Sequence, residues 1–295
     1  MKRYVVVGLR GGLGNQLFQF AAGLGIATHV GADLCFDGTR VGSEQWLPRL
    51  LGPHYRGASR QQLLRLGIVH HVDRWRDDFA KSALVHTVDA GRRLRHLTPR
   101  TMPIDDRPGH YDATVLSIDL PTQLLGWFQS DRYFSHVADE VVVRLRLPEA
   151  KLLRPPSSRP IVAISFRRGD YVRMGWQLPF SYYERALDHL IGEVPDATFL
   201  VFGDDPEFVR MATDWVTRYG PATNAYDFAD GELEHLVLAS ECDHAVIANS
   251  SFAWWGAWLG DQRARPGLRL VLAPEDYRKR WGPDILPSNW IAITS

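Results

Sequence analysis

Along this chain short apolar runs, each ended by glycine or a charged residue, alternate with stretches whose apolar residues recur at helical spacing. Tyr4–Gly8 reads YVVVG, and after it come LRGGLGNQ and LFQFAAGLGIATHVG. This order predicts a buried strand, a glycine loop and a helix starting near Asn15. Residues 32–37, ADLCFD, predict a second strand that completes a βαβ unit. The most sharply bounded run is 161–166, IVAISF, which follows Pro160 and stops at Arg167, Arg168, Gly169 and Asp170. An apolar, β-branched run without alternation belongs to a strand covered on both faces, as in a parallel sheet. Beyond it the pattern predicts a helix over 182–193, a strand over Thr198–Phe202 and helices over 206–219 and 231–242. A strand over 245–248, a helix over 252–259 and a strand over 268–272 follow. Such alternation predicts an α/β fold, with parallel sheets clad by helices on both faces.

Between 38 and about 117 the pattern weakens to scattered prolines, histidines and arginines with short helical pieces such as 61–66. This region is assigned no topology; an insertion that recognises an acceptor is the hypothesis it invites. Order returns with QLLGW at 123–127, then FQSDRYF and a helix over 136–147 capped from Ser130 or Asp131. The proline- and serine-rich stretch 148–159 reads as a linker. The chain is thereby expected to divide into a domain at 1–150, on the acceptor side, and a second at 151–295, two Rossmann-like units facing each other across a cleft.

Composition narrows the chemistry. A length of 295 residues and 45% hydrophobic content suit two domains. Lys+Arg 34 balance Asp+Glu 34, so no overall field draws the protein to nucleic acid or an anionic membrane, and an anion site must be a local cluster. Cys35 and Cys242 stand far apart in apolar surroundings and predict free buried thiols in a reducing compartment. With no apolar run of about eighteen residues and no signal-peptide core after Met1, the expectation is a cytoplasmic protein, peripheral membrane association being left open.

Open α/β folds hold ligands beyond the carboxyl ends of their strands, which is where Arg167 and Arg168 fall. Two guanidinium forks there predict contact with a diphosphate or another oxyanion. An ion pair with Asp170 is the plainer alternative. The RGD tripeptide, directly after a buried strand, does not read as an adhesion motif. Asn249, Ser250, Ser251 and Phe252 follow the apolar HAVIA and open a helix, FAWWGAWLG. A serine cap with free backbone N–H groups forms an anion pocket, or only an ordinary cap. Gly11, Gly12 and Gly14 would let backbone approach a ligand, but Gln16 or Leu17 stands where a dinucleotide fingerprint needs its last glycine, and a tight turn serves equally well. Trp254, Trp255 and Trp258 predict packing. Asp204 and Asp205 look like a metal pair, yet Pro206 follows, and aspartate before proline is the expected helix cap. His70 and His71 lack a third ligand at metal spacing. No metal and no cofactor are expected.

Read in order, GGLGNQLFQFA, GWFQSDRYF, FRRGDYV, FGDDPEFV and ANSSFAWWGAWL resemble the bacterial α-1,2-fucosyltransferases of glycosyltransferase family 11, which use GDP-fucose. The resemblance runs from near residue 8 to PSNWIAI and is weak between about 40 and 120. It implies a two-domain GT-B fold, inversion at the sugar carbon, a GDP-sugar donor, a glycan acceptor and no required metal. It further implies that Arg167 and Arg168 contact the diphosphate. Asn249, Ser250, Ser251 and Phe252 would hold the phosphates and nucleoside, while Gly14 and Asn15 face the donor from the first domain. Two positions depart from the family pattern. Ser165 stands where the arginine motif usually begins with histidine, and removes a group that titrates near neutrality. His235, after Glu234, stands where an acid is usual. Asp170 and Glu234 are the candidates for the base. Another GDP-deoxyhexose such as colitose, a secondary-metabolite acceptor, or a catalytically silent GDP- or carbohydrate-binding protein are the rival readings.

Overall fold

The computed structural model describes residues 3–41, 44–68, 104–105, 108–149, 155, 157–264 and 267–294. His70 and His71 lie outside them. Two parallel sheets organise the described residues. In the first, β1 (Tyr4–Gly8), β2 (Asp33–Asp37), β3 (Ile104–Asp105) and β4 (Thr122–Leu125) lie in the order β2-β1-β4-β3. The second contains β5 (Ile161–Ser165), β6 (Thr198–Phe202), β7 (Ala222–Asn224), β8 (His244–Val246), β9 (Val271–Pro274) and β10 (Ile291–Ile293). Its order is β10-β9-β8-β5-β6-β7, and each strand pair in register is parallel. β1 and β5 stand inside their sheets, are buried at every residue, and accordingly lack alternation.

Two helices join the halves. Leu13–Val30 is buried around its whole circumference from Gln16 to Ala27, and Ser251–Arg263 likewise from Ala253 to Gly260. A helix apolar on all sides must be covered on all sides. These two cover each other: the Phe18 ring lies 4.4 Å from Trp254 and 5.2 Å from Trp255. The largest apolar cluster therefore runs from Val5 through Trp254 to Trp290 and belongs to both halves.

Several boundaries differ from the sequence expectation. The helix expected over 136–147 spans only Ala138–Arg144, after 3-10 turns at Asp131–Tyr133 and Ser135–Val137. Phe134, between the two turns, takes φ −139° and stacks its ring on Trp255 at 5.7 Å. The Ser130 hydroxyl caps the first of those turns, not the helix. β7, β10 and the helix Glu275–Trp281 are short edge elements that carried no readable period. Cys35 and Cys242 are free and buried. Among the described residues no helix is long and apolar enough to cross a membrane.

Candidate functional site

The carboxyl ends of both sheets open onto one cavity of about 830 Å³. From the first sheet it receives Gly11, Gly14 and Asn15 after β1, and Trp127 and Gln129 after β4. The second contributes residues after β5, β6 and β8. β5 is flanked by β6 and β8, so the cavity sits where chain order reverses across the sheet, the position at which open α/β sheets bind ligands.

The two arginines part company there. Arg167 lines the cavity, donates from Nη2 to Asp170 Oδ1 at 2.7 Å and pairs through Nη1 with Asp204 Oδ2 at 2.9 Å. The ion pair with Asp170 is thus present, and on the cavity wall. Arg168 is not part of the lining: its guanidinium lies 4.3 Å over the Phe208 ring and its backbone N–H donates to Asp204 Oδ1 at 2.7 Å. Both lie beyond the end of β5, and Arg168, at φ −120° and ψ −88°, is the N-cap of the helix Gly169–Met174, which turns its side chain away from that of Arg167. Asp205 caps the helix Pro206–Val216 by accepting from the Phe208 N–H at 3.0 Å. The Asp204–Asp205 pair is therefore divided between an ion pair and a cap.

Ser250 occupies the N-cap of Ser251–Arg263, but its side chain makes no capping bond, and Gly12 caps Leu13–Val30 with no side chain to offer. Both helix starts thus present backbone N–H groups without a side-chain cap, and Ser250, Ser251, Phe252, Leu13 and Gly14 all line the cavity. The two starts touch. A Cβ on Gly14 would lie 2.6 Å from the Phe252 backbone nitrogen, so only glycine permits this approach. Asn15 accepts from Gln129 Nε2 at 2.9 Å, and Asn249 donates to the Trp176 carbonyl at 3.0 Å. Gln129 Oε1 and Asn249 Oδ1 are buried with no hydrogen-bond partner among the described residues.

Ser165 and His235, the two departures from the family pattern, line the same cavity. His235 Nε2 bonds the Ala229 carbonyl at 2.7 Å, which places its proton on that nitrogen. Its ring is set edgewise to Tyr226 at 4.7 Å, and burial holds its pKa below the ordinary value, keeping it neutral. Glu234 is absent from the lining and folds its carboxylate back against Gly231 at the start of its own helix. Glu232, two residues earlier, does line the cavity. Partial burial, then the negative charge of Glu44, raises its carboxyl above the usual range.

Sequence reasoning missed Trp127, Gln129, Tyr171, Trp176, Asp230, Glu232, Tyr277 and Trp281. Gln129 had a signal, since it lies inside FQSDRYF, where Phe128 adopts φ +51°, an uncommon conformation for a bulky residue. Trp127 and Tyr171 had the same signal, lying in GWFQSDRYF and FRRGDYV; Glu232, Tyr277 and Trp281 sit on helices and Trp176 and Asp230 on loops whose orientation depends on tertiary contacts. Among the described residues no group of three His, Cys, Asp or Glu side chains is placed to share a metal ion.

Over 98% of its length the chain is 24% identical to the Escherichia coli alpha-1,2-colitosyltransferase, of which it covers 98%. It is 23% identical to a Caenorhabditis elegans galactoside 2-alpha-L-fucosyltransferase, with 96% of this chain and 74% of that protein aligned. Among solved structures, POFUT1 in complex with GDP-fucose superposes with a TM-score of 0.52 at 13% identity, covering 92% of this chain and 98% of that one. That likeness is one of fold, two Rossmann-like units facing across a cleft. The sequence pattern of Glycosyl transferase family 11 matches residues 107–293, more than half of the chain, and the protein belongs to that family.

Proposed function

We propose that this glycosyltransferase transfers L-fucose from GDP-fucose to a glycan hydroxyl, the 2-hydroxyl of a galactose-like residue, with inversion and without a metal. The observation that carries the reading is the convergence of Arg167 and two helix starts without side-chain caps on one cavity, in a chain of family 11. Charge develops on the departing diphosphate as the bond to the sugar carbon breaks. Arg167 can exchange Asp170 and Asp204 for phosphate oxygens, and the N–H groups near Ser251 and Gly14 stabilise the same charge without reorganising. The acceptor oxygen bonds to the opposite face of that carbon, and its proton passes to a carboxylate. Glu234 points away, Asp170 and Asp204 are engaged by Arg167 and Asp230 is exposed, so of the carboxylates on the wall Glu232, raised toward a useful pKa, suits that role.

The name of the Escherichia coli relative, aligned over 98% of both chains, favours a second reading in which the donor sugar is colitose. Calorimetric titration of GDP, GDP-fucose, GDP-mannose and UDP, with and without EDTA, tests both. Selective binding of GDP-fucose in EDTA is the expected result. Activity abolished by EDTA and restored by Mg²⁺ or Mn²⁺ would overturn the metal-free reading, and GDP binding without preference for fucose would favour the second donor. Free thiols at Cys35 and Cys242 support a reducing, intracellular setting.

A further inference from the structure

Asn15 is the third residue of the helix Leu13–Val30 and lines the cavity with partial exposure. Its carboxamide offers one acceptor oxygen and two N–H donors, and which end faces the cavity decides what it can bind. Oδ1 is already taken, since Gln129 Nε2 donates to it at 2.9 Å. Among the described residues nothing bonds Nδ2, which lies over the glycine loop: a Cβ on Gly11, itself at φ +74°, would come within 2.5 Å of it. Asn15 therefore shows the cavity its N–H groups.

The loop beyond β4 holds Gln129 in turn. Gln129 is 7% exposed and directly follows Phe128, which is fully buried at φ +51°. That conformation is strained for a bulky residue and persists only where its surroundings impose it. On the other side the Ser130 N–H bonds the Phe128 carbonyl at 2.9 Å, and the Ser130 hydroxyl caps the turn Asp131–Tyr133. Gln129 spends its side-chain bond on Asn15 and leaves Oε1 buried without one. An amide half unsatisfied in the interior costs stability, so packing alone does not account for it.

We propose that Gln129 is a positioning residue: it pins the Asn15 amide with its N–H groups toward the cavity, where Asn15 donates to an oxygen of the bound diphosphate. An amide is nearly symmetric in shape, so the bond from Gln129, and not the fit, selects its orientation. Asn15 shares the first turn of its helix with Gly14, whose backbone touches the start of Ser251–Arg263, and the groups beside it are the N–H donors of two helix starts. Ionised phosphate only accepts and suits a corner of donors, whereas a carbonyl oxygen turned into that corner would repel it. This inference rests on the GDP-sugar reading above.

Titration calorimetry with GDP tests it on the wild type, Gln129→Glu and Gln129→Met, each also made in an Asn15→Ala background, with thermal unfolding to confirm that every variant is folded. A glutamate carboxylate only accepts, so Asn15 must turn Nδ2 to it and show the cavity Oδ1. Gln129→Glu should weaken GDP binding by about 10- to 100-fold, the range of a hydrogen bond to a charged group, and Gln129→Met, which releases the amide without reversing it, by about 3- to 10-fold. In the Asn15→Ala background both changes should cost less than about threefold, because the side chain they act through is gone. The Asn15 side-chain amide signal in proton–nitrogen correlation spectra, identified as the one missing from Asn15→Ala, should move when GDP is added to the wild type and stay in place in Gln129→Glu. Equal losses in both backgrounds would trace the effect to charge or packing at residue 129, and unaltered affinity in a folded Gln129→Glu would remove the role of orientation; either result overturns the proposal. Should Gln129→Glu fail to fold, Gln129→Met carries the same comparison. A wild type that binds no GDP would sink the donor reading instead, and the Asn15 signal, expected to differ between the wild type and Gln129→Met, then decides whether Gln129 holds the amide.

Discussion

Arg167 and Arg168 are neighbours in sequence and strangers in space. One faces the cavity between two carboxylates, and the other lies on Phe208. Arg167→Ala is therefore expected to weaken GDP binding by about 10- to 100-fold, the range of a lost charge-assisted contact, because it also leaves Asp170 and Asp204 facing the phosphates. Arg168→Ala should change GDP affinity by less than about threefold while costing up to about 1 kcal/mol of stability through its lost ring contact. Calorimetry and denaturant unfolding on both variants check the pair, and equal losses of affinity would contradict the geometry. Two histidines, His235 buried and His244 half-buried, set a pH dependence. His235 and His244 both have pKa values lowered by burial, so the unfolded chain binds more protons than the folded one as pH falls through the ordinary histidine range. Stability should be fully present above about pH 7 and decline toward about pH 5, before carboxylates with raised pKa values enter. His235→Gln should flatten that decline in part, measured as Tm against pH; an unchanged slope would exclude its contribution.

At the scale of elements, the decisive contact is between two helix starts. Gly14 meets Ser251 and Phe252 so closely that any Cβ must move the backbone. Gly14→Ala should destabilise by about 1 to 3 kcal/mol, as overpacking does, and weaken GDP binding by separating the two sets of N–H groups. Gly12→Ala is the control: its φ is −75° and a Cβ there meets nothing within 4 Å. Thermal unfolding and GDP titration of both variants decide the matter, and a tolerated Gly14→Ala would show that the helices have room to spare. These elements were legible because apolar runs and helical spacing are local properties. Their edges were less so. The helix expected from residue 136 starts only at Ala138, after two 3-10 turns flanking Phe134, whose ring packs on Trp255 and Trp258.

Across the whole molecule, the sheets share their largest core, while each keeps a smaller one on its other face, around Val162 and Phe199 in the second and around Tyr4 and Val6 in the first. Phe18 and Phe134 from the first half pack against Trp254 and Trp255 from the second. Asp284 adds polar ties: it accepts from Arg132 at 2.8 Å and from the Tyr111 N–H at 3.0 Å, and its own N–H donates to Gly109 at 2.9 Å. Both halves should consequently unfold in one calorimetric transition. Trp254→Ala should lower that single transition by removing about 3 to 5 kcal/mol, and two resolved transitions in the wild type would show that the halves fold separately.

The amino-acid order alone determined the α/β class, the two buried central strands, the arginine-bearing strand end and the serine helix start, because periodicity, glycine spacing and motif order are carried by adjacent residues. It also identified the family through five ordered motifs, four of them within the matched residues 107–293. Only the tertiary structure decided which arginine faces the cavity, since that depends on where Phe208 and Asp204 come to lie. It likewise decided that Glu234 turns away while Glu232 and His235 face in, a matter of helix rotation. The contact of Trp176 with Trp281 was beyond any local reading, for Tyr171 and Trp176 share one segment while Trp281 belongs to the helix Glu275–Trp281, far along the chain.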